Sequence, residues 1–194
     1  MFFFLIQFHS SAAGSEAQCA YLSEAQFGEY LYPMADPVET DELHQIATRR
    51  GSPQSSTNGK SAWFIEPDQT SGLVTIRNVE LKQYLTTVGN RTRDPQRRNV
   101  FTSTERSPAA LWAIEPVTDE EQSSACRLSR PTGKQVRFIN QLHGEYLYAA
   151  ADDLAIDEDN RNIFTWIDEE REPAAYWNPY EFNKPVWIIE KTKC

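Results

Sequence analysis

One aromatic signature returns three times along the chain, as Trp63-Phe64-Ile65-Glu66-Pro67, Trp112-Ala113-Ile114-Glu115-Pro116 and Trp187-Ile188-Ile189-Glu190-Lys191. Each copy closes a segment whose front half carries a Tyr-Leu element: Gly28-Glu29-Tyr30-Leu31-Tyr32, Gln83-Tyr84-Leu85-Thr86 and Gly144-Glu145-Tyr146-Leu147-Tyr148. A period of roughly 50 residues marks a repeat architecture, in which no unit buries its apolar face alone and neighbours must share one core. Nothing else in the sequence restricts the fold so tightly.

Each repeat reads as four short strands. In the second, Leu73–Asn78 alternates apolar and polar residues, followed by Gln83–Thr86, Asn99–Thr102 and Leu111–Ile114, with turn formers between them. The third repeats the order with Gln135–Asn140, Glu145–Tyr148, Asn162–Thr165 and Val186–Ile189, and Arg98-Asn99-Val100-Phe101-Thr102 matches Arg161-Asn162-Ile163-Phe164-Thr165 almost residue for residue. In the first, Ala20–Leu22, Glu29–Tyr32 and Ala62–Ile65 supply three strands, and Leu43–Thr48 is assigned as the remaining one. The Leu-to-Trp separations are 32, 27 and 40 residues. The surplus falls in Gly51–Lys60, a Ser, Gly and Asn tract read as a loop, and in Asp168–Lys184, an aromatic insertion.

Three four-stranded units in this order resemble the β-trefoil. The resemblance implies an all-β fold in which first and fourth strands build a six-stranded barrel about a pseudo-threefold axis and second and third strands form cap hairpins. Glu145-Tyr146-Leu147-Tyr148-Ala149-Ala150, Asn160–Trp166 and Val186–Glu190 make the chain similar to the secreted trefoil-type proteins of insects, including hemolymph and salivary proteins of blood-feeding flies. That likeness implies secretion and binding of a ligand or partner. The ricin-type lectin branch carries Gln two residues before each Trp. Here those positions are Ser61, Ala110 and Pro185, so galactose-type binding is not expected and the three tryptophans read as core.

Length and composition agree with one domain. The 194 residues with 40% apolar content support a single core. A net charge of -9 argues against a nucleic-acid partner, which calls for a basic face. Met1–Phe8 is apolar and runs into Ser10, Ser11, Ala12, Ala13, Gly14 and Ser15, the order of a secretory leader, although no Lys or Arg precedes it. Residues 1–17 are accordingly assigned as leader and 18–194 as the domain, with repeats at about 19–70, 71–122 and 133–193. No later stretch approaches the ~18 consecutive apolar residues of a membrane span, and no membrane insertion is expected. Closure of the repeats into a ring would bring Cys19 and Cys194 together in preference to either with Cys126, while spacing alone leaves three free thiols open. Asn90-Arg91-Thr92 is a glycosylation sequon.

Candidate chemistry is sparse. Arg91, Arg93, Arg97 and Arg98 form a basic loop that could take an anionic ligand such as a sulfated glycan, or could simply be solvated. The matching loop of the third repeat is acidic, with Asp152, Asp153, Asp157, Glu158 and Asp159, and lacks the EF-hand order. Arg98 and Arg161 are placed to hold neighbouring carbonyls, or a carboxylate such as Asp94 or Asp157, at a strand start. Glu66, Glu115 and Glu190 recur with the repeat, which favours architecture. Outside the leader the imidazoles are His44 and His143, and no nucleophile elbow, phosphate loop or zinc helix is present, so neither catalysis nor a cofactor or metal is expected. Trp166, Tyr176, Trp177, Tyr180 and Phe182 make the insertion the leading candidate for recognition, with packing against the barrel as the competing use. These features are read as a secreted, monomeric, non-catalytic protein that binds a protein or an anionic glycan. The alternative is a protease inhibitor of the Kunitz trefoil kind that presents Arg91 or Arg93.

Overall fold

The computed structural model describes residues 16–38, 43–53, 60–118, 133–151, 154–166 and 185–194. The first repeat supplies β1 (Gln18–Glu24), β2 (Glu29–Val38), β3 (Leu43–Arg49) and β4 (Ala62–Pro67). The second supplies β5 (Val74–Asn78), β6 (Tyr84–Asp94), β7 (Arg97–Ser103) and β8 (Leu111–Pro116). The third supplies β9 (Lys134–Asn140), β10 (Glu145–Ala149), β11 (Asn160–Trp166) and β12 (Trp187–Lys191). Every strand expected from the pattern is present, most of them longer than the pattern showed. β6 extends furthest, because it continues past Thr86 to the tip of its hairpin.

Pairing closes the ring. β1 pairs with β4 and β12, β4 with β5, β5 with β8, β8 with β9 and β9 with β12, all antiparallel. These first and fourth strands therefore form a barrel without a free edge. The second and third strands make the hairpins β2–β3, β6–β7 and β10–β11, and the third strands also pair in a triangle, β3 with β7, β7 with β11 and β11 with β3. A closed barrel under a triangular cap is the β-trefoil.

The core consists of threefold layers. Trp63, Trp112 and Trp187 are fully buried (0% exposed), and each indole N–H donates to the carbonyl of the Leu in its own repeat: Leu31 at 3.0 Å, Leu85 at 3.0 Å and Leu147 at 2.9 Å. The bond ties the fourth strand to the second and satisfies a polar atom that would otherwise be stranded in the core. The three leucines are themselves fully buried, as are Leu22, Ile76 and Phe138 on the first strands. Ile46, Val100 and Ile163 from the third strands add the layer nearest the cap.

The turn from first to second strand also repeats. Gly28 (φ 64), Lys82 (φ 60) and Gly144 (φ 69) take the left-handed conformation, each donating its N–H back to the last residue of the strand before. Glycine reaches this conformation without steric cost, whereas Lys82 does not. Beside β1, the chain ends meet as the ring closure implies. A disulfide joins Cys19 to Cys194 with Cα atoms 5.9 Å apart, and Thr192 donates to the Cys19 carbonyl at 3.0 Å. Cys126, residues 1–15 of the leader, the greater part of the Gly51–Lys60 loop, residues 119–132, and Asp152 and Asp153 of the acidic loop lie outside the described residues.

Candidate functional site

Arg97 and Trp166, one residue from each of the two groups that the sequence nominates for binding, come together on the cap. β11 pairs with β7 so that Trp166 lies opposite Arg97 and Thr165 opposite Arg98. The Arg97 guanidinium stands over the Trp166 ring, 5.8 Å from its centroid, and forms an ion pair with Asp94 across the β6–β7 tip. Burial works against the Arg97 charge, but Asp94 and Tyr148 outweigh it and hold the guanidinium above its ordinary range. Trp166 in turn meets Tyr148 edge-on at 5.8 Å, and Tyr148 packs at 6.0 Å from Phe164. Trp166 is half-buried and packs against this small aromatic cluster. Its neighbour in sequence begins the 167–184 segment, so Tyr176, Trp177, Tyr180 and Phe182 lie outside the described residues.

The basic loop is resolved into different roles. Arg93 is exposed at the hairpin tip. Between Thr87 and Thr92 the register of β6 against β7 slips, and Asn90 and Arg91 belong to this bulge. Arg98 points the other way, into the cap. Its Nε and Nη2 bind Glu145 at 3.0 Å each, its Nη1 donates to the Gly89 carbonyl, and its side chain is 13% exposed. Both arginines hold a neighbouring carbonyl as expected, Gly89 for Arg98 and Ala150 for Arg161, but their carboxylate is not the expected loop Asp of the same hairpin. Arg98 takes Glu145 of the next repeat, and Arg161 takes Glu29 of the first, at 3.1 Å. Asp94 pairs with Arg97 instead, while Asp157 accepts the Asp159 and Asn160 backbone amides and the Asn160 side chain, which hold its carboxyl below the ordinary carboxylate range.

These cross-repeat pairs form a ring beneath the surface. Arg161 lies opposite Thr48, Arg98 opposite Thr165 and His44 opposite Thr102 in the triangle of third strands. Each threonine donates to the acid or amide that begins a second strand: Thr48 to Glu29 at 2.8 Å, Thr165 to Glu145, Thr102 to Gln83 at 2.6 Å. Where the acid is replaced by Gln83, the arginine is replaced by His44, whose Nδ1 lies 2.9 Å from the Met34 carbonyl. The recurrent glutamates act similarly on the barrel wall. Glu66 binds Arg77 at 3.0 Å, Glu115 binds Arg137 at 2.8 Å and Tyr146 at 3.2 Å, and Glu190 accepts from Tyr30 and Ser23 at 3.2 Å. Threefold recurrence here does mean architecture.

Two other places on the molecule differ from this face. Ser61 and Ala110, where ricin-type lectins carry Gln, are fully buried (0% exposed) and out of a sugar's reach. At the end of the barrel away from the cap, a cavity of about 670 Å3 is floored by Ile65, Ile114 and Ile189 and edged by Gln18, Lys134 and Lys191. Among the described residues no group of three or more His, Cys, Asp or Glu could hold a metal ion, and no helix is long and apolar enough to cross a membrane.

Solved structures with the same fold are numerous. A salivary protein from Culex quinquefasciatus, of the Cysteine and Tryptophan-Rich family, superposes with a TM-score of 0.58 at 14% identity, over 94% of this chain and 100% of that one. SeviL, solved with asialo-GM1 saccharide, matches with a TM-score of 0.51 at 15% identity over 92% and 100%. ThreeFoil, a designed threefold-symmetric protein, matches at 0.55 and 12% identity over 89% and 97%. No family model and no curated protein sequence matches the chain. The chain is thus a β-trefoil, similar in fold to Culex salivary proteins, to SeviL and to ThreeFoil.

Proposed function

We propose that this is a secreted, non-catalytic binding protein that engages a protein or an anionic glycan through the face formed by the β6–β7 tip, Trp166 and the 168–184 insertion. The observation that carries the reading is the Arg97–Trp166 stack beside exposed Arg93, at the point where the insertion leaves β11. A partly buried Trp with a cation against it is the composition of a binding anchor, because a large amphipathic ring contributes contact area at small entropic cost. Of the four arginines, Arg98 is engaged inside the cap, so anion binding rests on Arg91, Arg93 and Arg97. Secretion is supported by the Cys19–Cys194 disulfide, which persists in oxidising surroundings, and by the apolar start of the chain.

Binding to a heparin column and a glycan array, with wild type compared to Trp166→Ala and Arg93→Glu, tests the glycan arm. The reading predicts retention at low salt that both substitutions weaken. Capture from plasma by intact and 168–184-deleted protein tests the protein arm, with a partner lost on deletion. Binding unaffected by any of these changes would move the site elsewhere. Slowing of trypsin by the wild type, abolished in Arg93→Ala, would instead favour the inhibitor reading.

A further inference from the structure

The end of β1 breaks the symmetry of the cap with one charged residue. Asn78 and Asn140 end β5 and β9, each opposite the tryptophan of a neighbouring strand, Trp63 and Trp112. Each works in both directions. Asn78 Oδ1 accepts the turn amides of Glu80 at 3.1 Å and Leu81 at 3.0 Å, and Asn140 Oδ1 accepts that of His143 at 3.3 Å. Their Nδ2 groups donate to the carbonyls of Lys60 at 2.7 Å and Ala109 at 2.8 Å. Opposite Trp187 the same position is held by Glu24, 4% exposed, whose Oε2 accepts the amides of Gln26 at 2.8 Å and Phe27 at 2.9 Å. An ionised carboxylate accepts but cannot donate, so it does half of what the asparagines do. A protonated one has a donor as well.

The surroundings also favour the neutral form. Across the β1–β2 pairing Glu24 faces Glu29, which is fully buried (0% exposed). From β11, Arg161 bonds Glu29 at 3.1 Å and lies 3.7 Å from the Phe27 ring centroid. From the β3 side, Thr48 bonds Glu29 at 2.8 Å and the largely exposed Arg50 approaches it at 3.7 Å; from β12, the residue opposite is Trp187, which brings no charge. Two buried carboxyls thus face one buried guanidinium already bonded to Glu29, and a second negative charge there is poorly compensated. Burial is the main cause of a Glu24 carboxyl pushed up to about 7; the Phe27 and Gln26 amides and Arg161 pull it down, and Glu29 adds to the rise.

We propose that Glu24 is a proton-operated cap: neutral, it locks the β1–β2 turn as Asn78 and Asn140 lock theirs, and ionised, it loosens the seam between the first and third repeats. The sign follows from linkage. The folded-state value lies above the ordinary 4.5, so the stabilisation is complete below about 4.5 and is lost as pH rises through about 7. The seam is tight in acid and slack in mild alkali.

Urea unfolding of wild type and Glu24→Gln across this range tests it, because Gln keeps donor and acceptor at every pH. The folding constants of the two chains should agree within a few-fold near pH ~4.5 and diverge by about two orders of magnitude in favour of Gln by pH ~8. Parallel profiles would overturn the proposal. If Glu24→Gln does not fold, the carboxyl carbon-13 resonance of Glu24 in the wild type decides: a midpoint near 7 supports the cap, and one near 4.5 refutes it.

Discussion

The tryptophan layer of the barrel and the ion-pair ring of the cap obey the same threefold symmetry to different degrees. In the first, all three positions keep the same residue, the same burial and the same indole-to-carbonyl bond. In the second, two positions carry Arg with Glu and the third carries His44 with Gln83. The difference teaches what each layer demands. A close-packed apolar layer specifies volume and shape, and the only ring here that both fills the space and reaches the Leu carbonyl is an indole. A polar layer specifies satisfied bonds and balanced charge, so acid and base can be exchanged for amide and imidazole provided both change together.

The comparison can be broken first at its rigid side. Trp112→Ala should cost about 3–5 kcal/mol and leave the Leu85 carbonyl without its donor, and Trp63→Ala and Trp187→Ala should cost the same within about 1 kcal/mol. Urea denaturation reads both, and one tryptophan far cheaper than its mates would contradict the symmetry. On the polar side, Arg161→Met should destabilise by about 3 kcal/mol, because Glu29 is left buried with only Thr48 and the distant Arg50. His44→Ala, at the position where no buried acid stands opposite, should cost about 1 kcal/mol or less. The paired change Arg161→His with Glu29→Gln copies the His44 and Gln83 positions of the first and second repeats onto the seam between the third and the first, and it should recover most of the loss seen in Arg161→Met when thermal midpoints are compared. The smallest effect is expected at the turn: Lys82→Gly relieves a left-handed residue that its two mates leave to glycine, and should stabilise by about 0.5–1 kcal/mol, seen as a rise in urea midpoint.

The two layers were also unequally legible in the sequence. Trp-x-Ile and Tyr-Leu announce themselves, because a core position tolerates few residues and the repetition survives drift elsewhere. Barrel membership of the tryptophans comes with the trefoil resemblance and the Cys19–Cys194 pairing with the ring closure that resemblance implies, while strand order follows from the repetition. The partners of Arg98 and Arg161 did not, since Glu145 lies 47 residues away and Glu29 lies 132 away, and a loop Asp nearby looks equally suitable on paper. The meeting of Arg97 with Trp166 was hidden for the same reason: the register of β11 against β7 is a property of the cap triangle, not of either segment. Glu24 was passed over because its equivalence to Asn78 and Asn140 appears only when each is seen opposite a tryptophan. Aligning the three front elements from the strand ends onward is the signal that would have found it.

The account stands on Trp63, Trp112 and Trp187 serving the interior as one layer. Hydrogen exchange of the indole N–H groups, followed by NMR in deuterated buffer, probes this directly, since the chain has 5 tryptophans with separable side-chain signals. Three of those signals should persist until the protein unfolds globally, each vanishing in turn in the Trp→Phe variants at 63, 112 and 187. Exchange of these three at the rate of a free indole would contradict the fold, and with it the cap on which the binding face is built.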